Sequence, residues 1–353
     1  MNSNHIVIMA GGIGSRFWPM STADMPKQFV DVLGCGKSLL QLTFERFKDV
    51  CLPSNVWVLT TEKYASVVKE QLPMISDDHI LKEPCRRSTA PCIAYAAWKI
   101  SKLDPNANMV VASSDHFIAD VAEFSRVIKT SLDFVGNTDA ILTIGIKPTR
   151  PEVGYGYIEA VLPTTAVSVE EIFPVNSFKE KPTLEVAKNF ISKNNFYWNS
   201  GIFVWKVSTI INAFRCHQFS MASIFDSLMP YFFTSEEQQR VNEMFPDCCN
   251  ISIDYAIIEH AKKVYVFSAD FGWSDLGTWY SLYCHLPKNV DGNVAIGADI
   301  LFAESHNCIV DTRHMKKVLL VGVDDCIVVE HNGNLLVCKM SEENRIKYYT
   351  DIK

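Results

Sequence analysis

The 353-residue sequence predicts an α/β fold, with a mainly parallel sheet covered by helices on both faces and a small all-β tail. Three observations carry that reading. The first half alternates short apolar runs with amphipathic segments, the pattern of parallel strands joined by crossover helices. The first run, "HIVIMA" at 5–10, is apolar throughout and bounded by glycines, as a strand buried on both faces requires. After about Leu286 the text changes to short β-branched runs split by Gly, Asn and Asp, without a helical period.

The elements follow in order. "SLLQLTFERFKDV" (38–50) reads as a helix: Ser38 and Gln41 have capping-box spacing, and Leu40, Phe44 and Phe47 share one face. "NVWVLTT" (55–61) is a strand, "EKYASVVKEQL" (62–72) a helix, "HIL" (79–81) a short strand, and 89–102 a helix. "NMVVASSD" (108–115) is a strand ending on a carboxylate, followed by a helix over 121–135 and the strand "DAILTIGI" (139–146). From 150 to 210, "GYGYIEAV", "SFKEKP" and "WNSGIFVWKV" read as short strands split by Gly, Pro and Asn turns. The stretch 208–262 is largely helical, and the strand "KVYVFSA" (263–269) leads into "GWSDLGTW". Ligands in such sheets sit at the carboxyl ends of the strands, which places Gly11 to Arg16 and Asp115 at one end.

The length is that of two domains of about 150 residues each. The linker "LPKNVDGN" (286–293) sets the expected boundary, giving 1–285 and 286–353. The tail suits a β-helix of stacked short coils, of the left-handed kind, although no strict repeat marks it. Composition is that of an ordinary globular protein, with 48% hydrophobic and 21% charged residues. A net charge of −7 argues against a nucleic-acid surface or a basic membrane patch, and leaves room for a compact basic pocket. The N-terminus lacks a basic leader, and no apolar run approaches the roughly 18 residues of a membrane span. The 11 cysteines contain no C-x-x-C pair, so reduced, mostly buried thiols in a cytoplasmic protein are expected, without a zinc site.

The chemistry concentrates first in "AGGIGSRFWPMSTADMPKQF" (10–29). A dinucleotide fingerprint needs G-x-G-x-x-G; Gly12 and Gly14 fit, but Phe17 takes the third place. A P-loop needs a glycine before its lysine and Ser or Thr after it, and Lys27 has neither. What remains is a glycine loop after the first strand whose backbone N–H groups can approach phosphate oxygens, with Arg16 and Lys27 supplying positive charge.

That loop resembles the signature of the sugar-1-phosphate nucleotidylyltransferases, and its Trp-Pro pair and "PKQF" ending are most similar to those of mannose-1-phosphate guanylyltransferases. The resemblance continues in the family's order through "EPCRRSTAP" (83–91), "SSDHFI" (113–118), "PTRPEVGYGYIE" (148–159), "FKEKP" (178–182), "WNSGIFVW" (198–205), "SIDYAIIEH" (252–260) and "GWSDLGTW" (272–279). Thr22 stands where many members have arginine, and Cys85 to Ser88 is a variable part of its block. The chain stops near residue 353 without the isomerase domain of longer bifunctional members, so isomerase activity is not expected.

The resemblance implies a Rossmann-like nucleotidyltransferase domain that transfers GMP from GTP to α-D-mannose 1-phosphate, giving GDP-mannose and diphosphate. The attacking sugar phosphate is already an anion near neutral pH, its second pKa being about 6, so no general base is needed. The site must bring two anions together and stabilise charge in line. By resemblance, Asp115 and Asp275 hold Mg²⁺, a hard ion suited to oxygen ligands; His116 is then structural or supports the ligands without touching the ion. Gly11, Gly12, Gly14 and Ser15 meet the nucleotide, and Arg16 and Lys27 neutralise the triphosphate. Lys181 meets the sugar phosphate, Glu180 and Asn199 meet sugar hydroxyls, and Gly156 lets backbone approach the sugar. Trp198, Phe203 and Trp205 belong to the core.

Glu83, with backbone help from Thr89 and Ala90, falls where the resemblance places the base. A carboxylate there accepts from guanine N1–H and its 2-amino group together, a donor pair that adenine lacks on that edge; uracil would turn carbonyls toward it. Two other readings stay open: the same chemistry with another sugar or base, and a non-catalytic sugar-nucleotide sensor, whose mark would be loss of Arg16, Lys27 or a metal carboxylate. A homodimer through the C-terminal domain is a further expectation; no nucleic-acid or membrane partner is expected.

Overall fold

The structure, a computed structural model, describes residues 3–12, 14–163, 171–297 and 299–350. Its contacts gather into two compact units, each assembled from separate stretches of chain. The first comprises Met1–Gly11, Phe44–Ser113 and Ile118–Trp273; the second comprises Gly12–Thr43, Ser114–Phe117 and Ser274–Lys353.

The first unit is built on a nine-stranded sheet. Its strands are β1 (Asn4–Met9), β2 (Val56–Thr61), β3 (Ile80–Glu83), β4 (Asn108–Ser113), β5 (Ile141–Ile146), β6 (Tyr157–Ala160), β7 (Ile172–Lys179), β8 (Phe196–Lys206) and β9 (Val264–Ala269). The order is β3-β2-β1-β4-β8-β5-β9-β7-β6. β1 to β4 pair in parallel, as do β5 and β9. β8 enters antiparallel between β4 and β5, and β7 is antiparallel to β9 and β6, so the sheet is mainly parallel with two reversed strands.

Alternation along the strands divides the side chains between two faces. Val7, Trp57, Leu59, Met109, Val111, Phe203 and Trp205 share one apolar cluster with residues of the helices Thr89–Leu103, Val207–His217 and Phe219–Leu228. The helix Val121–Gly136 contributes nothing to that cluster; it packs on β4, β5, β8 and β9 through its own buried stripe, Phe124, Val127, Ile128, Leu132 and Val135. Asp120 caps it by accepting from the Glu123 N–H at 2.9 Å. The apolar run near "CIAYAAW" is explained by burial on every side, since each residue from Ala90 to Ile100 is buried.

In the second unit the expected capping box is present: the Ser38 N–H donates to Gln41 Oε1 (3.0 Å) and the Gln41 N–H to Ser38 Oγ (3.2 Å). The segment after Leu286 forms stacked parallel coils. Val294 lies beside Ile309 and Ile309 beside Ile327, while Ile300 lies beside Val318 in a second, two-stranded sheet. A last strand, Asn334–Lys339, closes the first stack antiparallel to Cys326–His331. Between coils, buried Asn293 donates to the Ser305 carbonyl (2.7 Å) and accepts from the Cys308 N–H (2.9 Å).

All eleven cysteines are free, but only Cys92, Cys248, Cys308 and Cys326 are buried, so the expectation of mostly buried thiols fails: Cys35, Cys216, Cys249 and Cys284 lie on surface segments where packing leaves the thiol to solvent, and the other three are half-buried. No helix among the described residues is long and apolar enough to cross a membrane.

The register of β5 against β8 shifts between Thr143 and Gly145, and Gly145 sits opposite Asn199. A Cβ on Gly145 would fall 2.5 Å from Val266 Cγ2 and 2.8 Å from Tyr197 Cβ, both held in the sheet. Gly145→Ala is therefore expected to lower the unfolding free energy by about 1–3 kcal/mol in a denaturant titration; a loss below about 0.5 kcal/mol would show that the strand yields without cost.

Candidate active site

The glycine loop opens the second unit. Gly14 has φ +62°, and a Cβ there would lie 2.4 Å from Lys27 Cβ, so only glycine lets the loop press against that lysine. Phe17 is buried beside Trp279, with ring centroids 5.0 Å apart, and Trp18 packs against the same cluster. These two aromatics anchor the loop. Gln28 Nε2 donates to the Gly12 carbonyl at 2.8 Å. Ile13 and the side chain of Ser15 lie outside the described residues.

Lys27 is buried, with 3% of its side chain exposed. Its Nζ donates to the carbonyls of Asp275 and Leu276, both at 2.9 Å, and pairs with Asp115 Oδ2 at 3.0 Å. An ammonium has three protons, and three protein acceptors surround this one. Asp275 turns its own carboxylate onto the Gly277 N–H (3.0 Å), and Leu276 holds φ +43° in that turn. Arg16 is exposed, with Nη1 3.4 Å from the Gly277 carbonyl. His116 Nε2 is 3.9 Å from Asp115 Oδ1. Gly14, Arg16, Lys27, Asp115, His116, Asp275 and Lys347 all line one cavity of about 370 Å³. Two carboxylates in one open cavity would fit a hard divalent cation that takes few protein ligands; among the described residues no group of three or more His, Cys, Asp or Glu offers a protein-only metal cage.

In the first unit Glu83 ends β3 and is 6% exposed. Its Oε1 is buried without a hydrogen-bond partner. Burial pushes the carboxyl up to about 7, against the opposing effects of the Cys92 thiol and of Arg86. A Cβ on Gly11 would stand 3.7 Å from Glu83 Oε2, so glycine keeps the space beside that oxygen clear. Thr89 Oγ1 accepts from the Ile253 N–H (2.9 Å), and the Ala90 N–H, expected to face the base, donates instead to the Ile251 carbonyl (3.1 Å).

A second group gathers at the other end of the motif series. A Cβ on Gly156 would meet Glu180 Oε2 at 2.7 Å, and the Asn199 N–H donates to the Gly156 carbonyl at 2.8 Å. Lys181 is exposed, holds φ +41°, and pairs with Glu180 Oε1 at 3.1 Å. Asn199 is fixed at both ends of its amide: Nδ2 donates to Asp254 Oδ1 (2.8 Å), and Oδ1 accepts from the Gly201 N–H (3.1 Å). Trp198, Phe203 and Trp205 are buried, as expected.

Three residues of these groups were not singled out in the sequence. Asp254 opens a π-helical turn, Asp254–Ile258; burial raises its carboxyl above the usual range, Asn199 opposes that rise and Glu180 adds to it. It lies inside the block "SIDYAIIEH", which was its signal. Cys92, beside Glu83, reads as an ordinary apolar position of a buried helix. Lys347 had no signal, being one of several charges in the last stretch of chain.

The pattern of the nucleotidyl transferase family matches residues 5–290. The chain is 33% identical over 348 residues to a mannose-1-phosphate guanylyltransferase of Escherichia coli, covering 97% of this chain and 74% of that protein. It is 35% identical over 357 residues to mannose-1-phosphate guanylyltransferase 2 of Escherichia coli O157:H7, covering 97% and 71%. The crystal structure of mannose-1-phosphate geranyltransferase from Thermus thermophilus superposes with a TM-score of 0.87 at 26% identity, over 99% of this chain and 98% of that one. The chain belongs to the nucleotidyl transferase family, among the mannose-1-phosphate guanylyltransferases.

Proposed function

We propose that this enzyme catalyses Mg²⁺-dependent transfer of GMP from GTP to α-D-mannose 1-phosphate, giving GDP-mannose and diphosphate by direct in-line attack of the sugar phosphate on the α-phosphorus. The observation that carries this reading is the cavity in which Asp115, Asp275, Arg16 and Lys27 converge, in a chain whose relatives bear that activity in their names.

Asp115 and Asp275 would hold the metal, which supplies positive charge to phosphate oxygens as two anions are brought together. Lys27 positions: with its protons committed, it fixes Asp115 and the 275–277 turn in one arrangement. Exposed Arg16 offers a fork of N–H donors to the triphosphate. In the first unit, the unpartnered Glu83 oxygen is an acceptor for guanine, and Glu180, Lys181 and Asn199 are assigned to the sugar phosphate. The sugar phosphate attacks as the anion it already is, so no side chain needs to take a proton.

The division into a catalytic domain, 1–285, and a β-rich domain, 286–353, belongs to the same proposal, as does a cytoplasmic location. Exposed Leu319, Val321, Leu335 and Val337 on the coil strands support a homodimer through that second region.

The direct test is incubation of the pure protein with each nucleoside triphosphate and each sugar 1-phosphate, with diphosphate release as the readout. GTP with mannose 1-phosphate is expected to give the highest kcat/KM; activity with UTP or ATP and none with GTP would refute the role given to Glu83. Asp275→Asn retains an oxygen for the Gly277 N–H and is expected to fold normally while losing at least about 100-fold in kcat. Near-normal turnover would end the metal assignment.

Glu83 also makes a pH-dependent stability prediction. Its folded pKa is raised from 4.5 to about 7, so the native state is favoured while the group is protonated. That contribution is fully present below about 4.5 and is lost as pH rises through about 7. Glu83→Gln should therefore stabilise the unliganded protein at pH 8, by something on the order of 2 kcal/mol, and leave it unchanged near pH 4.5. The same variant should raise KM for GTP roughly tenfold, because an amide N–H would face guanine N–H donors. Equal melting temperatures at pH 8 would show that Glu83 is not desolvated.

A further inference from the structure

Among the described residues, three Lys or Arg side chains line the phosphate cavity: Arg16, Lys27 and Lys347. They are not equivalent. Lys27 is balanced by Asp115 and its donors are occupied. Arg16 has the Glu343 carboxylate nearby: burial raises that carboxyl, hydrogen bonds from the 278–280 turn oppose the rise, and Arg16 adds the smallest opposing effect. Asp275 adds a further negative charge to the wall. A triphosphate carries about four negative charges near neutral pH, which one divalent ion and Arg16 would together leave partly unbalanced. Lys347 is exposed, and its ammonium makes no hydrogen bond or ion pair among the described residues.

Its place is built from the core outward. The preceding residue, Ile346, is 4% exposed and belongs to the apolar cluster of Phe17, Met20 and Trp279. The helix Ile346–Thr350 packs on the turn Ser15–Phe17 of the glycine loop. Just upstream, Glu343 Oε2 accepts from the Tyr280 N–H at 2.9 Å and ties this stretch to the helix that follows the Asp275 turn. A lysine on a loose tail loses much rotamer and backbone entropy on binding; one whose neighbour is already buried loses less.

We propose that Lys347 is a substrate-contacting residue whose ammonium binds the β- and γ-phosphates of the nucleoside triphosphate and hence the departing diphosphate. This inference rests on the functional reading above. It assigns the last stretch of chain a chemical part in the reaction: it supplies the exposed point charge that Lys27, locked into the wall, does not.

The experiment compares wild type with Lys347→Ala and Lys347→Arg. Four quantities are measured: KM for GTP, KM for mannose 1-phosphate, melting temperature, and calorimetric affinity for diphosphate with magnesium in the absence of other substrates. The alanine variant is expected to weaken diphosphate binding and raise KM for GTP by roughly five- to twentyfold. Melting temperature and KM for mannose 1-phosphate should stay at wild-type values, and arginine should restore most of the loss. Diphosphate affinity within twofold of wild type in Lys347→Ala overturns the proposal, as does a rise confined to KM for mannose 1-phosphate. If wild type transfers no nucleotide to any sugar phosphate, the functional reading fails, while the diphosphate titration still decides whether Lys347 binds phosphate.

Discussion

A buried ammonium must find an acceptor for each of its three protons, and in the second unit that requirement organises the cavity. Lys27 meets it with Asp115 and the carbonyls of Asp275 and Leu276. These acceptors come from two stretches of chain far from the lysine in sequence, so satisfying one lysine sets the positions of both carboxylates assigned to the metal. Breaking such an arrangement by removing one partner typically costs about 3–5 kcal/mol, because a charge is left buried without compensation. The glycine at 14 follows from the same constraint, since a side chain there would collide with Lys27. The lysine that its motif marks for phosphate is, in this structure, the post on which the two carboxylates hang.

The acidic groups divide into two environments suited to different tasks. Asp275 sits in a polar turn, and Asp115 pairs with a lysine. Glu83 and Asp254 are buried enough that their carboxyls rise, and such groups bind selectively because every unmatched polar atom near them is costly. In the proposed function, selection of base and sugar falls to the second kind and the holding of a metal to the first. Asn199 is held in a comparable way: its amide donates to Asp254 and accepts from the Gly201 N–H and, at 3.5 Å, from the Thr143 hydroxyl, so its one remaining amide proton has a fixed orientation.

Much of this was legible in the sequence. Apolar runs at 5–10, 55–61 and 108–115 announced strands of a mainly parallel sheet, which the structure sets side by side, and the Ser38–Gln41 spacing announced a capping box that is present. The eleven-residue strand Phe196–Lys206 was harder to read, because Asn199 and Gly201 resemble turn residues until the bulge opposite Gly145 gives them a place inside a sheet. The glycine loop pointed to phosphate by failing two familiar templates. Lys347 could not be found that way: its meaning depends on Ile346 being buried beside Phe17, a contact between residues far apart in the sequence. Asp254 was within a quoted block, but its bond to Asn199 depends on folding. The exposed cysteines were misjudged because composition counts thiols without saying which segments have neighbours.

The interleaving of the two units has a consequence for how the protein is made. Residues 12–43 leave the ribosome early, yet the carbonyl that Lys27 bonds at Asp275 is 248 positions further along. At synthesis rates of about 5–20 residues per second, the glycine loop waits on the order of ten seconds or more with its lysine unpaired and Phe17 uncovered. The first unit has all its stretches once residue 273 emerges, but the second cannot assemble until the coils and the helix that begins at Ile346 have followed. Translation order therefore makes the cavity around Lys27 later to exist than the sheet, so a chain stalled before that point carries the signature motif in a form that has no cavity.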